Sequence, residues 1–238
     1  KFYKFSKTLA IFDQPFFFNS IEEVHNFEDS TVGRQLLSSM EDRGIKGLCY
    51  WDNGMRVISM NRQIRVPADM KGLSIRIEPS NIIYSQYTLL GALPIPMPFK
   101  QLRDALRINL VDGHENAWSN ISSMNLQQYR HHFLELNHSY LGYMVATSVH
   151  FWKGLPADIR IELEKILAEV RIEVAQIAAE KAKADRQKVL SADGVELITP
   201  TKSEKQHWQT ALLPVWKEYA SAMGDEMISK IEKAKEDK

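Results

Sequence analysis

Apolar residues recur along this chain at two spacings, alternation in short runs and a three-and-four rhythm in longer ones, and capping or turn residues mark the changes between them. Ser20 and Glu23 have capping-box spacing and predict a helix through "SIEEVHNF"; a second helix is predicted through "VGRQLLSSMEDR", with Gly44 as its stop. Between Ile45 and Glu78 the runs "IKGLCYW", "MRVISMN" and "LSIRIE" read as strands, separated by turns at "DNG" and "RVPADMKG". Ser80 caps a helix "NIIYSQYTLL" that Gly91 ends, and a proline-rich connector leads to another helix near "FKQLRDALRIN". "LVDGHENA" then reads as a strand and turn, a helical stretch follows through Gln128, and "FLELNHSYLGYMVATS" supplies one or two strands.

From Ala157 to Leu190 the spacing predicts one long helix opened by Pro156, with Ile159, Leu163, Ile166, Leu167, Val170, Val174, Ile177 and Ala178 forming a buried stripe. At ~1.5 Å rise per residue it would be on the order of 50 Å long, more than one small domain needs. A short strand "VELIT" follows, then two helices, the first opened by Ser203 and Gln206 and the last ending in a charged tail. Strands alternating with helices indicate an α/β architecture, and the long helix favours two lobes that it braces.

Composition narrows the function. Thirty basic residues balance thirty acidic ones, so no broad positive field exists to attract nucleic acid, and an anion site must rest on a few local arginines. The lone Cys49 excludes a disulfide framework and multi-cysteine metal motifs; within "GLCYW" it reads as a small buried residue. The most apolar run, "LGALPIPMPF", is broken by prolines and does not approach a membrane span. The abrupt start at Lys1, with no initiator Met or signal pattern, leads us to expect a further N-terminal portion.

Common enzyme motifs are missing: there is no nucleophile elbow, phosphate loop, dinucleotide fingerprint or H-E-x-x-H. Adjacent His131 and His132 diverge on any regular element, so no shared metal is expected. Arg56, in "GMRVISM", falls on the strand face of Ile58 and Met60, an odd place for a guanidinium if that face is buried. Arg76, in "LSIRIEP", shares its side with Ser74 and Glu78; a solvent-facing arginine is the plainer account, and convergence of both forks on a carboxylate is the functional one. Asn116 is an amide donor or a turn former near Gly113, and Trp51, Phe99 and Tyr140 are pocket walls or simply core.

Several strings together resemble the solute-binding proteins of tripartite ATP-independent periplasmic (TRAP) transporters. "IRVPADMKGLSIRIEPS" is similar to that family's signature around its ligand-binding arginine, and "LGALPIPMPFKQLRDAL", "VDGHENAWSN" and "FWKGLPADIRIELEKILAE" match later segments in order, covering nearly the whole chain. "ENAW" and His114 depart from the usual "ENP" and Gln. The resemblance implies a two-lobed periplasmic binding protein, type II-like, with the long helix of about 157–190 spanning both lobes and the N-terminal part of one lobe missing. Lobe I would comprise 1–52 and 142–180, and lobe II 53–141 and 181–238. Arg76 would clamp a ligand carboxylate, with Arg56 and Asn116 as supporting donors and Phe99 as a wall; "WDNG" and "NHSYLGY" look like the C4-dicarboxylate branch, which makes Tyr140, Trp51 and His138 candidates for the rest of the site.

The resemblance further implies a periplasmic location, a membrane permease as partner, a small organic acid as ligand, a monomer, and no cofactor, metal, nucleic acid or catalysis. A monocarboxylate ligand (a 2-oxo, sugar or aromatic acid), a sensory subunit, and a hydrolase or lyase using His114 and Glu115 stand as alternatives.

Overall fold

A computed structural model of the protein describes residues 4–223 and Ser229. Two sheets organise it. β1 (Ile45–Met55) and β7 (Tyr140–Ser148) pair antiparallel as a long two-stranded ribbon. The other sheet has six strands in the order β4 (Leu93–Pro96), β3 (Ser74–Ile77), β5 (Gly113–Asn116), β2 (Val57–Met60), β6 (His132–Leu134) and β8 (Glu196–Ile198). β3 runs parallel to β4 and β5, β6 runs parallel to β8, and β2 is antiparallel to both of its neighbours.

Strand alternation sends side chains to two cores, one on each face of the large sheet. Ile58, Met60, Ile75, Ile77 and Leu134 enter the core covered by α3 (Asn81–Leu89) and α8 (Lys202–Met223). Val57 and Phe133 enter the opposite core, with Leu102 of α4 (Phe99–Arg107), Ile121 of α5 (Trp118–Ser123) and Val189 from the end of α7 (Ala157–Leu190). A third core joins the ribbon to α1 (Ile21–Asp29) and α2 (Thr31–Ser38) through Phe17, Phe18, Val24, Phe27, Met40 and Tyr140. α6 (Val149–Gly154) leads from the ribbon to α7.

The expected caps are largely in place. Glu23 N donates to Ser20 Oγ (3.2 Å), and the Glu23 carboxylate in turn accepts from the Asn19 backbone N–H (2.9 Å). Gly44 (φ 80°) and Gly91 (φ 73°) take the left-handed conformation at their stops, where a Cβ would be strained. α2 itself ends at Ser38, and a single 3₁₀ turn, Glu41–Arg43, bridges to Gly44. Cys49 is buried in β1, as its strand setting predicts.

Four expectations need correction. "DNG" is no turn: Asp52 to Gly54 lie inside β1, and the extra residue is absorbed as a bulge between Asp52 and Gly54 because pairing with β7 continues to Met55 and Tyr140. The proline-rich connector contains strand β4, which tolerates Pro94 and Pro96 because it sits at the edge of the sheet. The C-terminal segment forms one continuous helix through Pro214, and its cap is Thr201 with Glu204: Glu204 N donates to Thr201 Oγ1 (3.2 Å) and Thr201 N to Glu204 Oε2 (2.7 Å). The charged tail lies outside the described residues.

The fourth concerns α7, whose bounds match the expectation but whose stripe is not buried. Leu163, Leu167, Val170, Val174 and Ala178 are half-buried, Ile159, Ile166 and Ile177 are exposed, and only Asp185 and Val189 are buried. The helix rests on β1 and α5, and a narrow ribbon covers only a seam of it.

Two outcomes test this frame. A Cβ on Gly113 would lie 2.2 Å from the Ser59 carbonyl oxygen across the β2–β5 pair and 2.1 Å from Met60 Sδ, so Gly113→Ala should lower the urea-unfolding free energy by about 2–3 kcal/mol. Thr201→Ala should cost ~1 kcal/mol in the same measurement, and Ser203→Ala next to nothing.

Candidate functional site

The chain crosses between its two sheets at Arg56, immediately after β1, and again just before Tyr140; Arg56 N donates to Ser139 O (2.9 Å) and ties the crossings together. A cleft of about 420 Å³ opens between the sheets. One side is built from Glu28 of α1, Tyr50 of β1 and Tyr140 to Met144 of β7. The other comprises Arg56, Glu78 to Ser80 at the end of β3, Phe99 at the start of α4 and Asn120 of α5, with Leu9, Phe12 and Asp13 from the N-terminal 3₁₀ turn.

Arg56 is buried, and its Nη1 donates to both oxygens of Glu115 (2.9 and 2.8 Å). Its Nη2 lies 3.3 Å from Glu78 Oε2 and 3.6 Å from Asp13 Oδ1. Burial disfavours the charge, but the three carboxylates outweigh it and hold the guanidinium pKa above its ordinary value. Arg56 therefore lines the cleft as a cation already paired with acids, with its Nε buried and without a partner.

Arg76 is fully buried, which overturns the solvent-facing account. Its Nε and Nη2 both donate to the Met97 carbonyl (2.9 and 2.7 Å), while Nη1 is buried without a partner. Desolvation lowers its pKa, with Glu115 and Glu78 acting against that. The guanidinium carbon lies 6.0 Å from the ring centroid of Phe99, which itself lines the cleft, so Arg76 stands one layer behind the wall. Both arginines thus gather around the same acids; Arg56 keeps its Nε unpaired, and Arg76 keeps the terminal Nη1 of its fork unpaired.

Of the remaining sequence candidates, Phe99 and Tyr140 line the cleft. Tyr140 donates its hydroxyl to Asp52 Oδ1 (2.6 Å), and Asp52 Oδ2 is 2.6 Å from His25 Nε2. Burial pushes the Asp52 carboxyl up, but the bonds from His25 and Tyr140 prevail and its pKa falls; the same Asp52 bond raises that of His25. Asn116 is buried at the end of β5, its Oδ1 accepting from Ala117 N (3.0 Å) and Asn120 Nδ2 (2.7 Å). Asn120, one helical turn on, is the amide that reaches the cleft, and Asn53 Nδ2 bridges it (3.3 Å) to the Tyr143 hydroxyl (2.7 Å).

Trp51 and His138 do not line the cleft. Trp51 is half-buried in β1, in register with Tyr143. His138 is buried with its ring edge-on to Tyr87, and burial, reinforced by Arg56, lowers its pKa to about 3, so it is neutral. His114 and Glu115 are consecutive on β5 and point to opposite faces. His114 is buried with a pKa lowered to about 3, and Glu115 is spent on Arg56, so the pair offers no acid and base to the cleft. His132 meets Glu196 (3.0 Å), and among the described residues no metal-binding cluster occurs.

Sequence reasoning missed the acidic side of the site: Asp13, Glu28, Asp52 and Glu78. Their only signal is acidity next to apolar core residues, as in "IFDQP" and "NFEDS".

A sequence profile of the bacterial extracellular solute-binding proteins, family 7 (DctP), matches residues 1–222. The chain is 40% identical over 228 residues to the C4-dicarboxylate-binding periplasmic protein DctP of Vibrio cholerae, covering 96% of this chain and 68% of that one. A TRAP periplasmic solute-binding protein of Shewanella oneidensis, solved with bound succinate, superposes with a TM-score of 0.94 at 37% identity, covering 99% of this chain and 77% of that one. One from Pseudomonas aeruginosa, solved with bound L-malate, gives 0.88 at 36% identity, with 92% and 76% covered. No helix among the described residues is long and apolar enough to cross a membrane. The two-sheet architecture, the bracing helix α7 and these likenesses together place the chain in the periplasmic DctP family of TRAP solute-binding proteins.

Proposed function

We propose that the protein captures a C4-dicarboxylate between its two lobes and delivers it, as a monomer, to the membrane permease of a TRAP transporter, without catalysing a reaction on it. The observation that carries this is the unpaired Nη1 edge of Arg76, buried beside the cleft wall. A guanidinium out of water with a free donor is costly, and an incoming carboxylate offsets that cost through paired charge-assisted bonds. The binding of succinate and malate by the relatives described above supports a four-carbon diacid.

The lobe division expected from the sequence, 1–52 with 142–180 against 53–141 with 181–238, is kept in this proposal, with the crossings at Arg56 and Ser139 as the hinge. Closure brings the ligand carboxylate past Phe99 to Arg76 and excludes water, which strengthens the bonds formed there. Asn116 acts through Asn120, and Tyr140 forms part of the wall that receives the ligand. Trp51 and His138 support that wall from behind.

Arg76→Ala should weaken succinate binding by ~2–5 kcal/mol, or roughly 30- to 3000-fold, by calorimetry. Arg76→Lys should also weaken it, because one ammonium cannot copy a fork. Unchanged affinity in both variants refutes the clamp, and tighter binding of a 2-oxo, sugar or aromatic monocarboxylate than of any C4-dicarboxylate refutes the ligand class. Glu115→Ala, which strips Arg56 of its bidentate partner, should cost about 3 kcal/mol of folding stability in urea.

A further inference from the structure

The opposite lobe carries an unsatisfied polar atom of its own. Glu28 belongs to the buried side of α1 with Val24 and Phe27, and it lines the cleft. Its side chain is 2% exposed; Oε2 is 3.3 Å from Arg171 Nη2, and Oε1 is buried with no partner. Arg171, projecting from α7, also pairs with Asp29, so the long helix fixes one edge of the Glu28 carboxyl and leaves the other to the cleft. The groups that face it are His25 on α1, Cys49, Tyr50 and Asp52 on β1, Tyr140 on β7 and Arg171 on α7.

Burial and three of these neighbours, Asp52, Arg171 and His25, decide its charge. Asp52 is held ionised by His25 and Tyr140. Burial first, and then the Asp52 charge, push Glu28 up to about 8, against the pull of Arg171 and His25. At neutral pH Glu28 is therefore mostly a carboxylic acid with an O–H to give. An ionised Glu28 would repel a dianion in the cleft, whereas the acid form makes a short O–H···O⁻ bond to it.

We propose that Glu28 is a ligand-positioning residue: gripped by Arg171 on one oxygen, it donates a hydrogen bond from the other to the ligand carboxylate that Arg76 does not hold. This rests on the dicarboxylate function proposed above and assigns the second end of the ligand. Nothing is transferred; the proton stays on Glu28 and is shared in the bond. Ligand binding then stabilises the protonated form, so affinity is full below pH about 8 and is lost as pH rises through the Glu28 pKa.

The test is calorimetry of succinate, a dianion across this range, from pH 6.5 to 9.5 on the full-length protein, its Glu28→Gln variant and Arg76→Ala. Wild-type affinity should hold to about pH 8 and then fall about tenfold per pH unit, the slope of one required proton. Titrations in two buffers of different ionisation heat should show proton uptake on binding near pH 8.5. Glu28→Gln, which keeps an N–H donor and the same shape, should bind within about tenfold of wild type at pH 6.5, lose the alkaline fall and take up no proton. A wild-type profile that stays flat, or a fall and a proton uptake that persist in Glu28→Gln, overturns the assignment to Glu28 while Arg76→Ala still marks the site. Failure of every C4-dicarboxylate to bind at any pH overturns the underlying function and this inference with it.

Discussion

The buried charge of Arg56 is the constraint around which this molecule is built. Removing a guanidinium from water is costly and carboxylates around it offset that cost; here they arrive from three separate segments: Asp13 before α1, Glu78 after β3 and Glu115 on β5. The same residue donates its backbone N–H to Ser139 where the chain crosses back between sheets. Both crossings and three parts of the chain are thereby gathered at one point. The cleft opens beside that point, so its base is fixed by electrostatics rather than by apolar packing, which has little directional preference.

That arrangement gives different partners to two arginines that strand alternation alone could not rank, though the family resemblance put Arg76 first. Alternation put both on strand faces and left open whether they see water. In the fold, Glu115 takes both donor directions of Arg56 Nη1, whereas Arg76 spends two nitrogens on one carbonyl, that of Met97, and keeps the third idle. A carbonyl has no net charge, so Arg76 is bonded to no carboxylate of its own and feels Glu115 and Glu78 only at a distance. Desolvation prevails at Arg76 and lowers its pKa, whereas at Arg56 the adjoining carboxylates outweigh desolvation and raise it.

Most of the fold was legible because its elements are locally encoded. The Ser20 and Ser80 caps, the glycine stops and the bounds of α7 all depend on residues within a turn of each other. What was not legible depends on pairing at a distance. "DNG" becomes a bulge only because β7 passes alongside it, and the prolines after Gly91 become edge strand β4 only because β3 offers them a partner. The site divides in the same way. Arg56, Phe99 and Tyr140 were found in or at the cleft, and Arg76 just behind it, through strand pattern and family resemblance. The Glu28–Arg171 and Asp52–His25 contacts join α1 to helix and strand far along the chain, and no local pattern announces such partners.

The two idle atoms also bear on selectivity. Under the function proposed above, with Arg76 Nη1 on the large-sheet side and Glu28 Oε1 on the ribbon side, a ligand with a carboxylate at each end would satisfy both on closure. A monocarboxylate of similar length satisfies one and leaves the Glu28 hydroxyl desolvated without an acceptor, a cost of about 1–3 kcal/mol. On that proposal, discrimination of roughly 5- to 150-fold would follow from a single unpaired donor, without steric exclusion of the wrong acid. Selectivity of this kind is conditional on protonation: once Glu28 ionises, its repulsion falls on the second carboxylate, and the advantage passes from the diacid to the monoacid.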